Sequence, residues 1–177
     1  MRDRLTLLAL ALLIPACGVG RDAAAPVVAL SSSSSIQGSP DIGCKLKITV
    51  PQTIQNDESL VFLSWDAEDY DPAAMHDNLV DNKRVKILED GKYQIHVSVE
   101  WLTLDRGMFL TQLFKNGNVV LGTDVRQSFA STIVNHVFAE DEFVAGDYVQ
   151  VLVFQRSGMW AMVMHDQTRF YARKVAD

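Results

Sequence analysis

From residue 45 onward, apolar and polar side chains alternate with a period of two. Leu46, Ile48 and Val50 interleave with Lys45, Lys47 and Thr49. Tyr93, Ile95, Val97, Val99 and Trp101 interleave with Lys92, Gln94, His96, Ser98 and Glu100. Successive side chains of a strand point to opposite faces, so each run predicts a half-buried strand with its aromatic and β-branched residues inward. Turn signals punctuate the runs. Asp90-Gly91 precedes one strand, Ala145-Gly146-Asp147 precedes 148–154, and Arg169–Val175 reads as the last strand. Asn116-Gly117 lies between Met108–Lys115 and Val119–Leu121. It predicts a hairpin, because both residue types tolerate positive φ. No stretch carries a sustained 3.6-residue stripe with caps. About eight to ten short strands separated by turns predict an all-β fold, a two-sheet sandwich or jelly roll.

Some of these strands are apolar on both faces. Val149, Val151 and Val153 point one way, and Tyr148, Leu152 and Phe154 the other. Met108, Leu110 and Phe114 likewise oppose Phe109, Thr111 and Leu113. In a two-layer sandwich the outer face meets water and reads polar. An apolar outer face therefore predicts a partner, and with no helix to cover it the chain itself is the expected partner. The alternative places these residues at sheet corners under loops.

The first residues follow a different logic. Met1–Arg4 is weakly basic, residues 5–14 are apolar apart from Thr6, and Pro15-Ala16-Cys17-Gly18 follows. Residues 1–16 read as a signal peptide, too short to span a bilayer. Ile14–Cys17 resembles the lipobox of bacterial lipoproteins, although Leu is preferred where Ile14 stands. The resemblance implies acylation of Cys17, and several acyl chains on one residue anchor stably where one binds marginally. The expectation is a protein lipid-anchored to a bacterial envelope, at the outer membrane or cell surface; an ordinary secreted protein is the alternative. Residues 17–44, with Ser31–Ser35 and Gly38-Ser39-Pro40, read as a flexible tether. Its reach is ~25–30 Å. Residues 45–177 are the expected domain.

Charge and composition narrow the function. The formal charge is -6, and it becomes -7 once Arg2, Asp3 and Arg4 leave with residues 1–16. An acidic chain without clustered Lys/Arg is a poor nucleic-acid binder and does not dock anionic headgroups by charge. Two cysteines exclude a disulfide scaffold or a Cys-rich metal cluster. With Cys17 acylated, Cys44 is left unpaired. It reads as a small residue at a strand start, or as one half of an intermolecular disulfide.

A run of short blocks resembles the C1q/TNF-like jelly-roll family, especially its bacterial and phage members. They are Asp66-Ala67-Glu68-Asp69-Tyr70-Asp71, Met75-His76-Asp77, Asn82-Lys83-Arg84-Val85 and Asp90-Gly91-Lys92-Tyr93. Later come Leu113–Gly117, Ala145–Val149 and Phe170-Tyr171-Ala172. Their order and spacing over residues 46–176 carry the likeness. It implies a ten-strand jelly roll that trimerises through one sheet. It also implies a non-catalytic module that binds a protein, a glycan or an exposed surface through trimer avidity. No collagen Gly-X-Y stalk is present, so complement-like or cytokine-like roles are not carried over. A phage-derived structural or receptor-binding domain is the first alternative, and a metal-dependent jelly-roll enzyme the second.

Candidate sites are few. Asp66, Glu68, Asp69 and Asp71 resemble a calcium loop in spacing, but the loop glycine and a bidentate glutamate are missing; the rival reading is a solvated, turn-capping segment. No cofactor beyond that calcium is implied. His76 reads as a structural hydrogen-bonding residue, with base or ligand chemistry as the alternative. His96 falls on the polar face of its strand, and His136 and His165 stand isolated. Neither a paired-histidine metal motif nor a Gly-x-Ser-x-Gly elbow is present. Trp160 and Met162 are candidate ligand contacts, since Trp dominates hot spots and Met adapts; core or trimer-axis packing is the alternative. Tyr148, Leu152, Phe154, Phe170 and Tyr171 are assigned to the trimer interface or the core.

Overall fold

The computed structural model describes residues 41–57, 60–129 and 131–176. The expected signal peptide, Cys17 and nearly all of the expected tether lie outside them. Among the described residues there is no helix. Eleven strands run as β1 (Gly43–Lys47), β2 (Gln52–Ile54), β3 (Val61–Phe62), β4 (Ala67–Tyr70), β5 (Val85–Lys86), β6 (Gly91–Thr103), β7 (Gly107–Lys115), β8 (Val119–Ser128), β9 (Thr132–Phe143), β10 (Tyr148–Arg156) and β11 (Ala161–Ala176). They form two antiparallel sheets. The first has the order β4-β1-β11-β6-β9 with β2 on β11, and the second β3-β10-β7-β8 with β5 on β10.

The alternation read from the sequence places the core. Tyr93, Ile95, Val97, Val99 and Trp101 of β6 are fully buried, as are Leu46, Phe109, Leu113, Val151 and Val153. Trp101 packs on Phe109 across the sheets with ring centroids 5.2 Å apart, and Trp65 on Phe170 at 5.7 Å. Each such aromatic removes a large apolar area from water, worth about 1.5–3 kcal/mol. Cys44 sits fully buried in β1, and burial pushes its thiol pKa far up. The protonated, enclosed thiol is a small core residue rather than a partner for another chain.

Three expectations change. The domain's first strand starts at Gly43 rather than at residue 45, because Gly43 and Cys44 pair with Arg173 and Ala172 of β11. Val50 leaves the alternation and is exposed after β1 ends. The last strand is 16 residues long and starts at Ala161, so Met162–Met164 are strand rather than connection. What hid this is a bulge. Met164 lies opposite Glu100 and Arg169 opposite Ser98, so the intervening residues of β11 leave the ladder. Side chains hold them there. The Glu100 N–H donates to Thr168 Oγ1 at 3.0 Å, and the Gln167 N–H donates to the Glu100 carboxylate at 3.0 Å.

The two ends of the sandwich are closed differently. At one end the β7–β8 turn has Asn116 at φ 54° and Gly117 at φ 72°, the positive pair expected of that hairpin. Asn116 Nδ2 donates to Asp147 at 2.8 Å, and the Tyr148 N–H donates to Asn116 Oδ1 at 3.0 Å. Lys115 lies 3.3 Å from the Asp147 carboxylate and 4.3 Å over the Phe143 ring. At the other end the fully buried Gln155 reaches outward. Its Nε2 donates to the Met159 and Ile54 carbonyls at 2.7 and 3.2 Å, and its Oε1 accepts the Ser157 N–H at 2.8 Å.

Candidate functional site

The outer face of the first sheet carries an aromatic band. Cross-strand register sets Tyr171 of β11 beside His96 of β6, and His96 beside Phe138 of β9. All three are exposed, Phe138 at 61%. His136 is two residues before Phe138 on the same face, and its ring stacks on His96 with centroids 5.8 Å apart and planes 9° apart. Gln94, His96, Phe138, Tyr171 and Arg173 line a shallow depression of about 460 Å³. Burial in this patch holds the His96 pKa below that of an ordinary imidazole, and His136 lowers it further. Charged side chains of both signs flank the band. Arg173 donates to Gln94 Oε1 at 3.0 Å, Lys47 pairs with Asp69, and Arg169 donates to the His165 carbonyl at 2.7 Å.

Below the bulge, the same face continues with Met162 opposite Leu102 and Met164 opposite Glu100, both methionines half-buried. Trp160 lies apart from them. It is 41% exposed and sits at the loop end, just before β11. Leu104, Phe129 and Met159 are exposed at the same end, Phe129 at 74%. The Arg106 guanidinium lies 5.4 Å over the Phe129 ring. Two adjoining depressions of about 360 and 430 Å³ share Arg106 and Phe129.

The residues assigned together to interface or core fall in three places. Phe170 is core and Tyr171 is on the aromatic band. Tyr148, Leu152 and Phe154 lie on the outer face of the second sheet. There Leu152, opposite Phe62, is fully buried while the other two are half-buried. Phe62 and Phe114 meet edge-on at 6.1 Å on that face. Leu152 is thus covered by its neighbours in the sheet, while Tyr148, Phe154, Phe62 and Phe114 stay half-open on this face.

The acidic segment is spread over separate partners. The Asp66 carboxylate accepts the Thr49 N–H and hydroxyl at 2.6 and 3.0 Å. Asp69 binds Lys47, which holds its carboxyl below the usual range. Asp71 accepts the N–H groups of Met75 and His76, each at 2.9 Å. Glu68 Oε1 is 3.2 Å from His76 Nδ1, while His76 Nε2 is 3.3 Å from the Asn82 carbonyl oxygen. With its side chain fully buried, His76 ties the loop after β4 to that strand. Among the described residues, no three His, Cys, Asp or Glu side chains converge as metal ligands.

Sequence reasoning did not single out Phe138, Leu104 and Phe129, and it left His136 isolated. Phe138 was within reach, because an aromatic at a polar-face position of an alternating strand is itself a signal. The His96–His136 contact depends on the β6–β9 register and has no local signature.

No protein-family model and no curated protein matches the sequence. Solved structures do. Murine APRIL superposes with a TM-score of 0.58 at 12% identity, covering 76% of this chain and 99% of that one. Eiger TNF from S. frugiperda gives 0.51 at 14% identity, covering 78% and 95%. The fold is the TNF-like jelly roll. The sheet orders above are therefore those of a TNF-like sandwich, and the aromatic band lies on one sheet of it. At this identity the likeness fixes architecture; the side chains must carry any functional argument.

Proposed function

We propose that the chain is a non-catalytic binding module that works as a homotrimer. The aromatic band carries this reading. Tyr171, His96 and Phe138 stand side by side across three paired strands, with none of the described residues forming a layer over them. A contiguous apolar patch on a sheet face marks an association surface. The neighbouring edge offers its complement, since Val119, Val120 and Val125 of β8 are exposed beside β9. An edge of one copy resting on the band of the next is a head-to-tail contact, and such contacts form a ring when the rotation between copies closes. The TNF-like fold supports three as the ring size.

In this reading the loop end with Trp160, Phe129 and Leu104 meets a protein or glycan ligand. The described chain enters at the opposite end, where residue 41 leads into β1. A tether that begins at an acylated Cys17 and ends before Gly43 would present the loop end away from a bacterial envelope. Three heads on one surface turn weak contacts into useful avidity.

Sedimentation of the full chain tests the association. A mass three times that of the chain is expected, and Phe138→Glu is expected to yield folded monomer. A wild-type monomer at micromolar concentration overturns the reading. Immobilised glycans and envelope proteins, probed with the trimer, then test the ligand side.

A further inference from the structure

We propose that acidification releases the association face, with the stacked His96 and His136 as the proton-operated element. The inference rests on the self-association reading above. The two rings lie nearly parallel, 9° apart, with centroids 5.8 Å apart, in the middle of the surface that a second copy would cover. Two neutral imidazoles stack there without cost. Two imidazolium ions in the same place repel, and covering them removes the water that would solvate the charge.

What faces the pair offers no relief. From β11 come Tyr171, Arg173 and Arg169, and beyond them Lys45 and Lys47 of β1. From β6 come Gln94, Ser98 and Glu100, and from β9 Phe138 and Glu140. Asp124 of β8 approaches through the His136 N–H, which it accepts at 2.9 Å. Every carboxylate among these is engaged elsewhere. Glu140 pairs with Lys92 at 2.8 Å, Asp124 with Arg126 at 2.8 Å, and Glu100 accepts the Gln167 N–H in the bulge. Asp69 of β4 is paired in the same way, with Lys47 and more distantly with Lys45, so Arg173 and Arg169 stand against Glu100 alone and protons arriving on the pair add to a face that is already net positive.

The direction follows from linkage. Burial first, and His136 second, hold His96 below its ordinary pKa in the single chain, and contact with a second copy deepens that burial. The associated form therefore binds protons less readily than the dissociated one. Association is complete above the ordinary histidine pKa of about 6.5 and is lost as pH falls below it toward the depressed value. Histidine is the side chain whose charge changes in this range.

The test is sedimentation of the full chain at pH 8.0 and pH 5.5, with circular dichroism at both. The expected result is trimer at pH 8.0 and at least a tenfold weaker association at pH 5.5, with the strand spectrum intact. His96→Gln/His136→Gln is expected to associate equally at the two values. Histidine proton shifts give a second readout in the wild type: the apparent pKa of His96 should fall as protein concentration rises. A wild-type trimer equally tight at pH 5.5 overturns this inference and leaves the self-association reading standing. A double variant that still dissociates in acid, or a pKa independent of concentration, overturns it too. A monomer at both values defeats the association reading itself, and this inference with it.

Discussion

The two ends of the sandwich solve the same problem with opposite results. Each must hold chain reversals between antiparallel strands. At the turn end the fastening groups belong to the turns themselves: Asn116, Asp147 and Lys115 bind one another and neighbouring backbone. Their side chains are occupied, and the apolar residues exposed beside them are the aliphatic Leu88, Val119 and Val144. At the loop end the fastening comes from inside, through the buried amide of Gln155. The loop side chains are then left to face outward, and they are Leu104, Phe129, Met159 and Trp160. Anchoring a loop from beneath separates its shape from its surface, so its surface can serve recognition.

The sharpest way to break that contrast is at Gln155. Gln155→Leu keeps the volume and takes the side-chain partner from the Ile54 carbonyl and the Ser157 N–H, while the Met159 carbonyl keeps the Ser157 hydroxyl at 3.1 Å, so stability should fall by about 2–3 kcal/mol. Urea melts would show it, and a change under about 1 kcal/mol would mean the loops hold themselves. Asn116→Ala is the matching test at the other end. It removes two hydrogen bonds and puts alanine at a φ of 54°, a loss of about 1–2 kcal/mol in the same assay.

Asp147 adds a pH signature to the turn end. Its burial opposes ionisation, but the Asn116 amide, the Val144 N–H and Lys115 outweigh that and hold its pKa below the usual 3.8. The native form therefore binds its proton less readily than the unfolded chain. Its contribution is full above about pH 4 and fades as pH falls below that toward the lowered value. The stability gap between wild type and Asp147→Asn should narrow over that range in melts taken from pH 6 to pH 2. A constant gap would show that charge is not what Asp147 supplies. The smallest stability effect belongs to Trp160→Ala. Being exposed, it should shift stability by no more than about 0.5 kcal/mol while abolishing binding of whatever ligand the glycan and protein screens return.

Much of the fold could be read from alternation, because half-buried strands announce their buried face residue by residue. β6 did so over its whole inward set, and Asn116-Gly117 marked its hairpin through backbone sterics alone. β11 was read short because its bulge breaks the period, and the side chains that stabilise it, Glu100 and Thr168, are 68 residues apart. Spacing also suggested that the acidic run acts as a unit. In the fold, Asp66 turns to Thr49 and Asp69 to Lys47, while Glu68 and Asp71 both hold His76. The apolar outer face of β10 did call for cover, and Phe62, distant in sequence, supplies part of it. The proposed association face is instead one whose polar-looking positions, His96 and His136, disguised it. Contacts set by register between distant strands are the class that a one-dimensional pattern cannot hold.

The position of β11 also bears on how the chain comes to be folded. It is the last of the eleven strands to be synthesised, yet it lies in the middle of its sheet, between β1 and β6. Until it emerges, β1 and β6 present unpaired edges toward a gap that no earlier strand can fill. Exposed edges of this kind invite pairing with other chains. The first sheet is thus assembled after translation of β11 rather than strand by strand, at the slow pace of long-range pairing. A nascent chain stalled before residue 161 should be protease-sensitive throughout that sheet.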